Sequence, residues 1–248
     1  MLSESSGSLV GPLRAGGPLA TAGGGEPPTV VLLHGLGRTR HSMAGLARHL
    51  RRAGFPTWAR SYPSRRLSIA GAADLIASWI ERDLPGRPLV AVTHSLGGIL
   101  VRQIGARLRW SRIVMLAPPN QGSRLSRDLR GGGGAIDPLF RWIFGPAGQE
   151  MAAPEHGRAW PAPTAPCAVI AGTRARGGGN PTSWLSRRRA CFADGEPNDG
   201  TLAVGETRLA DADMAAFATV DASHTWIMNH PAARAMVVAF LRGGRLAP

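Results

Sequence analysis

From residue 29 onward, short apolar runs alternate with amphipathic stretches along the chain. The apolar runs have the length of strands, and the amphipathic stretches repeat their apolar positions every three or four residues, as one face of a helix does. Residues 88–93 are apolar without alternation, which is typical of a central parallel strand that helices cover on both faces. The order predicts an α/β fold with a doubly wound, mostly parallel sheet, in which functional residues lie just after the strands. The predicted strands are residues 29–33, 55–61, 88–93, 112–117, 167–172 and 215–220, and the predicted helices are residues 43–50, 69–80, 97–108 and 232–241.

Two segments fall outside this alternation. Residues 1–28 are rich in Gly, Ser and Pro and are expected to form a flexible leader, which leaves residues 29–248 as one domain. Residues 119–166 contain no clear strand, and a run of four glycines there precedes an apolar patch. We interpret this insertion as a lid in which Phe140 and Trp142 bind substrate; a helical excursion without a gating role is the alternative. The patch comprises Ile136, Leu139, Phe140, Trp142, Ile143 and Phe144.

The composition narrows the classes of partner. The 248 residues carry a formal net charge of +13, and all 29 basic residues are arginines. They are scattered and do not interleave with aromatic residues, so we expect no nucleic-acid partner, whereas weak association with an acidic membrane surface stays open. No apolar run is long enough to span a membrane, and no apolar core of a secretory signal is present. These absences favour a cytoplasmic protein, with a peripheral membrane location as the alternative.

The sequence also bears on disulfides, metals and cofactors. It contains two cysteines, Cys167 and Cys191. Reduced thiols are the expectation for a cytoplasmic protein, although the two could pair. The sequence has no obvious cluster of carboxylates that would suggest a calcium site. We therefore expect neither a metal nor a cofactor.

The predicted strand at 88–93 leads directly into the sequence Thr-His-Ser-Leu-Gly-Gly and then into a helix. This strand–turn–helix context is the one that a G-x-S-x-G nucleophile elbow requires, although Thr93 stands in place of the first glycine. Small residues after the serine allow the neighbouring backbone to pass close to the tight turn. The pattern predicts Ser95 as a nucleophile and the backbone N–H of Leu96, at the start of the helix, as a donor to an oxyanion.

A second oxyanion donor is expected in the loop after the first strand, which reads Leu-His-Gly-Leu-Gly over residues 33–37. Glycines on both sides of Leu36 let the main chain turn its amide inward. A plain turn would use the same glycines, so this loop is informative only together with the serine elbow that follows.

A serine hydroxyl needs a histidine as base and a carboxylate to hold that histidine. Of the histidines after Ser95, His224 follows the last strand, whereas His156 lies in the insertion and His230 precedes the final helix. We therefore predict His224 as the base. His94, which directly precedes the nucleophile, is interpreted as a packed, hydrogen-bonded neighbour.

Four carboxylates are candidates for the acid, because they lie between the last two predicted strands. Asp199 is favoured because Gly200 follows it and permits an unusual backbone angle where a loop must aim a side chain inward. An ordinary Asp-Gly surface turn is the alternative. The candidates are Asp194, Glu196, Asp199 and Glu206.

Together these motifs resemble the α/β-hydrolase lipases and esterases over residues 29–242. The likeness is greatest to the branch with triacylglycerol lipases and GPI-inositol deacylase-like proteins, and it also includes the stretch Pro-Asn-Gln-Gly-Ser at 119–123, whose role we take as structural. The resemblance implies hydrolysis of a small-molecule or lipid carboxylic ester through an acyl-enzyme, with Ser95 as nucleophile, Asp199 as acid and His224 as base. The N–H groups of Leu36 and Leu96 would form the oxyanion hole. An acyltransferase or thioesterase on the same triad, or a binding module without turnover, are the alternatives.

Overall fold

A computed structural model describes residues 26–130, 144–152, 160–176 and 180–246. Their six-stranded sheet has the order β2-β1-β3-β4-β5-β6, and every neighbouring pair is parallel, which confirms the predicted α/β class. The strands are β1 (Thr29–Leu33), β2 (Thr57–Trp58), β3 (Leu89–His94), β4 (Trp110–Leu116), β5 (Cys167–Gly172) and β6 (Ala216–Val220). The helices are α1 (Ala44–Arg52), α2 (Ile69–Asp83), α3 (Leu96–Ile104), α4 (Arg124–Arg130), α5 (residues 144–150), α6 (Pro181–Arg188), α7 (Val204–Thr207) and α8 (Pro231–Gly243).

Helices cover the sheet on both faces, and each face has its own apolar core. Alternate residues of β3 enter different cores, because successive side chains of a strand point to opposite faces. Leu89 and Ala91 pack toward α2 and α3, whereas Val90 and Val92 pack toward α1 and α8. All six residues of β3 are buried, as expected for the central strand that its apolar run predicts.

Three predicted elements have different bounds in the structure. The strand expected at 55–61 is only Thr57–Trp58. Pro56, which has no N–H to donate to a ladder, directly precedes it, and residues 59–61 do not join the sheet. The helix expected to reach Leu108 ends at Ile104, and Gly105 begins a turn there. Arg40–Met43 form a short 3₁₀ turn before α1, and this turn includes Met43, where the first helix was predicted to begin.

The predicted leader and insertion are described only in part. The described residues begin at Glu26. Outside them lie the glycine run Gly131–Gly134 and the apolar patch from Ile136 to Ile143, which includes Phe140 and Trp142. In the described parts of the insertion the structure has the helices α4 and α5 and no strand. None of the helices in the described ranges combines the length and the apolar character needed to cross a membrane.

A buried arginine on α3 holds both ends of the insertion. Arg102 donates to the side-chain oxygen of Asn120 at 3.0 Å, to the carbonyl of Trp160 at 2.9 Å and to that of Pro161 at 2.6 Å. Asn120 in turn donates to the carbonyl of Thr207 at 2.9 Å. The stretch at 119–123 thus has the structural role expected of it, since it links the insertion to the helix that follows Ser95.

We expect Arg102→Ala to lower the free energy of unfolding by about 2–4 kcal/mol, because it leaves two buried oxygen acceptors and one partly buried acceptor without their charged donor. Arg109→Ala serves as the control, since Arg109 is exposed and should change stability by no more than about 0.5 kcal/mol. Urea unfolding of the two variants measures the difference. Equal midpoints would show that the Arg102 contacts do not hold the insertion.

Candidate active site

The predicted site residues that the structure describes meet at the carboxyl ends of the parallel strands. Ser95 directly follows β3, Leu36 follows β1, and His224 follows β6. Asp199 lies in the connection between β5 and β6. The carboxyl ends of parallel strands point the same way, so segments far apart in sequence are brought to a common cavity.

Ser95 occupies a strained turn between β3 and α3. Its φ of 53° and ψ of −122° lie where residues with a Cβ seldom occur, and such a conformation costs about 1–3 kcal/mol. Two backbone bonds hold the turn, because the Ser95 N–H donates to the carbonyl of Leu116 at 2.9 Å and the Gly98 N–H donates to the carbonyl of Ser95 at 2.8 Å. The turn presents the hydroxyl beyond the end of the sheet, at the N-terminus of α3.

The two glycines after Leu96 are needed for close packing. A Cβ on Gly97 would lie 2.6 Å from the carbonyl oxygen of Leu33 in β1, and one on Gly98 would lie 2.7 Å from Cβ of Pro118. Small residues after the serine are therefore required, as predicted. Thr93, which replaces the first glycine of the pattern, is fully buried at the end of β3.

Ser95, His224 and Asp199 form one chain of hydrogen bonds. Nε2 of His224 lies 3.0 Å from Oγ of Ser95, and Nδ1 of His224 lies 2.7 Å from Oδ2 of Asp199. A carboxylate can only accept, so Nδ1 carries the proton and the lone pair of Nε2 faces the serine hydroxyl. This arrangement can remove the hydroxyl proton from Ser95.

The turn around Asp199 aims its carboxylate into the protein. Oδ1 of Asp199 accepts the N–H groups of Thr201 at 2.9 Å and Leu202 at 2.7 Å, which leaves Oδ2 for His224. Gly200 has a φ of +85°, and a Cβ there would lie 2.7 Å from Cβ of Ser183. Asp199 is completely buried, so the alternative of an ordinary surface turn is wrong.

The other candidate acids and histidines have different surroundings. Asp194 is exposed, and Glu196 forms an ion pair with Arg124. Glu206 is buried and accepts the backbone N–H of Arg124 at 2.6 Å. His230 directly precedes α8, where its side chain makes no capping hydrogen bond, and His156 lies outside the described residues.

The two predicted oxyanion donors lie next to Ser95, one in sequence and one across the cavity. Leu96 is the first residue of α3, so its N–H has no acceptor within the helix. Leu36 lines the cavity, and the neighbouring Gly35 is so close that a Cβ there would lie 3.1 Å from Cβ of Ser95 and 2.9 Å from Nδ1 of His94. The loop after β1 therefore passes in contact with the serine turn.

His34 fixes this loop, a role that the sequence did not indicate. Its ring stacks on Tyr62 with centroids 3.8 Å apart, and its Nε2 accepts the Tyr62 N–H at 3.2 Å. Nδ1 of His34 therefore carries the proton and donates to the carbonyl of Gly35 at 2.9 Å, while the Tyr62 hydroxyl donates to the carbonyl of His34. Burial lowers the pKa of His34 to about 4, so the imidazole is neutral at pH 7.

His94 is a buried, hydrogen-bonded neighbour, as expected, and it also contacts the candidate base. Its Nε2 donates to the carbonyl of His224 at 2.9 Å, and the two rings lie 5.0 Å apart. Burial lowers the pKa of His94 well below its ordinary value, with a further contribution from His224. His94 therefore stays neutral and holds the backbone of His224 in place.

The cavity beside Ser95 encloses about 260 Å³ and is mainly apolar. Leu125 and Leu129 of α4 form part of its wall, and Phe144 of α5 is the one residue of the predicted apolar patch that the structure describes. Met151 and Leu36 extend the apolar wall, whereas Arg38, Ser123, Ser126, Thr201 and Thr225 supply polar groups.

Cys167 and Cys191 are both free and buried, so the alternative that they pair is wrong. Burial raises the pKa of the Cys167 thiol and that of Cys191, the latter to about 12. Within the described ranges, no group of three or more His, Cys, Asp or Glu side chains is placed to hold a metal ion.

Comparison with known proteins identifies similar sequences and folds. A sequence model described as the alpha/beta hydrolase family matches residues 30–237. The mature lipase BlEst2 from Bacillus licheniformis has a TM-score of 0.66 at 17% identity, with 88% of this chain and 93% of that chain covered. A metagenomic carboxyl esterase has a TM-score of 0.54 at 18% identity, with 92% and 71% covered.

Phospholipase PlaB from Legionella pneumophila has a TM-score of 0.54 at 18% identity, and the match covers 73% of this chain but only 44% of that larger chain. At these identities the structural likeness shows a shared fold. A search of curated proteins by sequence finds no match.

The neutral His34 predicts a pH dependence of stability. The imidazole has a pKa of about 4 in the folded state and about 6.5 when unfolded, so unfolding takes up a proton between these values. Stability should fall as the pH drops from about 6.5 to about 4, and the contribution of His34 should level off below that range.

We expect His34→Gln to make the dependence shallower by up to about 1.4 kcal/mol per pH unit in that window. His41→Gln is the control, because His41 is exposed and should leave the slope unchanged. Urea unfolding at a series of pH values measures the slopes, and the same slope in wild type and His34→Gln would refute the neutral, buried imidazole.

Proposed function

The chain belongs to the alpha/beta hydrolase family, and we propose that it cleaves carboxylic esters through an acyl-enzyme on Ser95. In this proposal His224 is the general base, Asp199 orients it, and the N–H groups of Leu36 and Leu96 bind the oxyanion. The hydrogen bonds among Ser95, His224 and Asp199 support the first three roles. The place of Leu36 in the cavity wall and of Leu96 at the start of α3 supports the oxyanion roles.

The proposed reaction begins when Oγ of Ser95 attacks the ester carbonyl carbon and its proton passes to Nε2 of His224. Asp199 stabilises the resulting imidazolium through Nδ1, and the negative oxygen of the tetrahedral intermediate accepts the N–H groups of Leu36 and Leu96. The imidazolium then protonates the alcohol oxygen as its bond to carbon breaks. Water attacks the acyl-enzyme with the same base, and the carboxylic acid leaves.

The observation that carries the proposal is the continuous hydrogen-bond chain through three residues that lie far apart in sequence. Ser95 and His224 are separated by 129 positions, yet their side chains meet at 3.0 Å in a cavity wall. A binding module without turnover would not need the buried carboxylate of Asp199 behind that histidine. The hydrogen bonds from Ser95 through His224 to Asp199 therefore favour catalysis over binding alone.

The lining of the cavity favours a substrate that is a small-molecule or lipid ester with an apolar acyl group. Leu125, Leu129 and Phe144 present hydrocarbon beside Ser95. The names of the structural relatives, a lipase and a carboxyl esterase, agree with this substrate class. We propose from the sequence that Phe140 and Trp142 extend the lining as part of a lid, and that the chain is nearest to the branch of triacylglycerol lipases and GPI-inositol deacylase-like proteins.

We expect Ser95→Ala and His224→Ala to lower kcat/KM for an ester by roughly 10⁴-fold or more, because triad members act as a unit. Asp199→Asn should be milder, since this residue mainly holds the imidazole. Asp194→Asn is the matched control, because Asp194 is exposed and should leave turnover within a factor of about two. Steady-state kinetics with a p-nitrophenyl ester measures the effects, and near-normal turnover in Ser95→Ala would overturn the assignment.

The apolar wall predicts a preference for longer acyl groups. Each methylene buried in the cavity should raise kcat/KM by up to roughly fourfold, which corresponds to about 0.8 kcal/mol, until the cavity is full. Leu125→Ser should flatten this dependence in a chain-length series of p-nitrophenyl esters.

Leu209→Ser controls for the loss of stability, because Leu209 is equally buried but lies in the core and not in the cavity wall. Both variants should melt at a lower temperature, and only Leu125→Ser should change the slope. An unchanged slope in Leu125→Ser would show that the acyl group lies elsewhere.

A further inference from the structure

A guanidinium group interrupts the apolar wall of the cavity. Arg38 follows the loop after β1, is half-buried, and lines the cavity together with Ser95 and His224. Its Nη1 donates to the carbonyl of Thr225, the residue next to His224, at 3.1 Å. A cation is therefore held beside the reacting groups, on the side of His224.

The charge of Arg38 has no counterion among the residues that the structure describes. No ion pair joins a described carboxylate to Arg38, although seven other arginines form such pairs. The Thr225 carbonyl occupies one of the five N–H donors of the guanidinium. The titratable groups that interact with it are His34 and His94, both of which are neutral. Burial also lowers the pKa of Arg38, which is the cost of holding a half-buried cation unpaired.

The position of Arg38 indicates which part of an ester it faces. In the proposed reaction the imidazolium of His224 protonates the leaving alcohol, so the alcohol part lies on the side of His224 and Thr225. The apolar wall from α4 and α5 is left for the acyl part.

A polar cleft continues outward from the same arginine. It encloses about 520 Å³, and Arg38 belongs to the walls of both the cleft and the catalytic cavity. Thr39, His41, Ser42 and Asn229 give the cleft hydrogen-bonding groups, Trp226 adds an aromatic face, and none of the described residues that line the cleft is acidic. An alcohol part with a negatively charged group would therefore meet a cation and hydrogen-bonding groups along this path, and no carboxylate among the described residues.

We propose that Arg38 recognises an anionic group, a phosphate or a carboxylate, on the alcohol part of the ester. This inference rests on the proposed ester hydrolysis at Ser95, and it names the substrate class of that site. The free N–H groups of the guanidinium can bind two oxygens of the anion side by side, as arginine commonly binds phosphate and carboxylate. Binding the anion supplies the missing counterion and places the ester carbonyl next to Ser95.

Matched pairs of esters test the proposal with the full-length protein. One pair is octanoyl glycerol phosphate and octanoyl glycerol, and the other is the octanoate ester of lactate and that of methyl lactate. The members of a pair share the acyl group and differ in charge, and the two pairs distinguish a phosphate ligand from a carboxylate. The readout is the ratio of kcat/KM for the anionic ester to that for the neutral ester.

We expect wild type to favour the anionic member of at least one pair by about tenfold or more, and Arg38→Gln to lower that ratio by roughly 10–100-fold, mainly through KM. Arg38→Lys should keep part of the preference, because it keeps the charge without the planar fork. Arg40→Gln is the control, since Arg40 is exposed, lies two residues away and lines neither cavity. Its ratio should equal that of wild type.

The outcomes separate the two proposals. If wild type hydrolyses the esters with no preference in either pair, or if Arg38→Gln slows both members of a pair equally, the role of Arg38 is refuted while ester hydrolysis stands. If wild type hydrolyses none of the four esters nor the p-nitrophenyl esters, the proposed function fails, and the inference fails with it.

Discussion

The strained turn at Ser95 is the constraint on which the rest of this site depends. A residue with a Cβ is held at a φ of 53° because β3 on one side is buried along its whole length and α3 on the other is buried except at Gln103. The turn also requires the close approach of α3 to β1, which Gly97 permits by bringing its Cα against the carbonyl of Leu33. The sheet and its helices therefore stabilise a conformation that exposes one hydroxyl, and the loop after β1 can reach it.

Around this turn, most buried polar side chains are neutral or hydrogen-bonded, so few buried charges need a counterion. His34 and His94 are neutral, and each uses a ring nitrogen to hold a backbone carbonyl, that of Gly35 and that of His224 respectively. The carboxylate of Asp199 accepts two backbone N–H groups and faces His224. These contacts position the loop after β1, His224 and Asp199 separately. Arg38 is the exception, since its charge is half-buried beside the cavity without a carboxylate among the described residues.

Much of the architecture could be predicted from local sequence patterns. The buried runs and the helix periodicity indicate the sheet, the Thr-His-Ser-Leu-Gly-Gly stretch indicates the turn at Ser95, and the position of Asp199 before Gly200 indicates an inward-facing loop. The position of His224 just after the last predicted strand then favours it over the histidines that lie away from a strand end. The structure brings these three residues into one hydrogen-bond chain, and their catalytic roles are the proposal that follows.

Features that depend on contacts distant in sequence could not be predicted. The stacking of His34 on Tyr62, the hold of Arg102 on the insertion and the position of Arg38 in the cavity wall each join separate segments. Nothing local distinguishes Arg38 from the other 28 arginines. The early end of α3 and the late start of β2 reflect Gly105 and Pro56, and the effect of such residues depends on how well neighbouring segments pack.

Covalent labelling is the most direct test that Ser95 is the nucleophile. Wild-type protein is treated with a fluorophosphonate at neutral pH, digested, and mapped by mass spectrometry. We expect one adduct, on Ser95, and a sharp loss of labelling rate in His224→Ala, because the hydroxyl is reactive only while the imidazole accepts its proton. Ser123 and Ser126 line the same cavity and serve as internal controls. An adduct on either of them, or ester hydrolysis that continues while Ser95 stays unlabelled, would contradict the account.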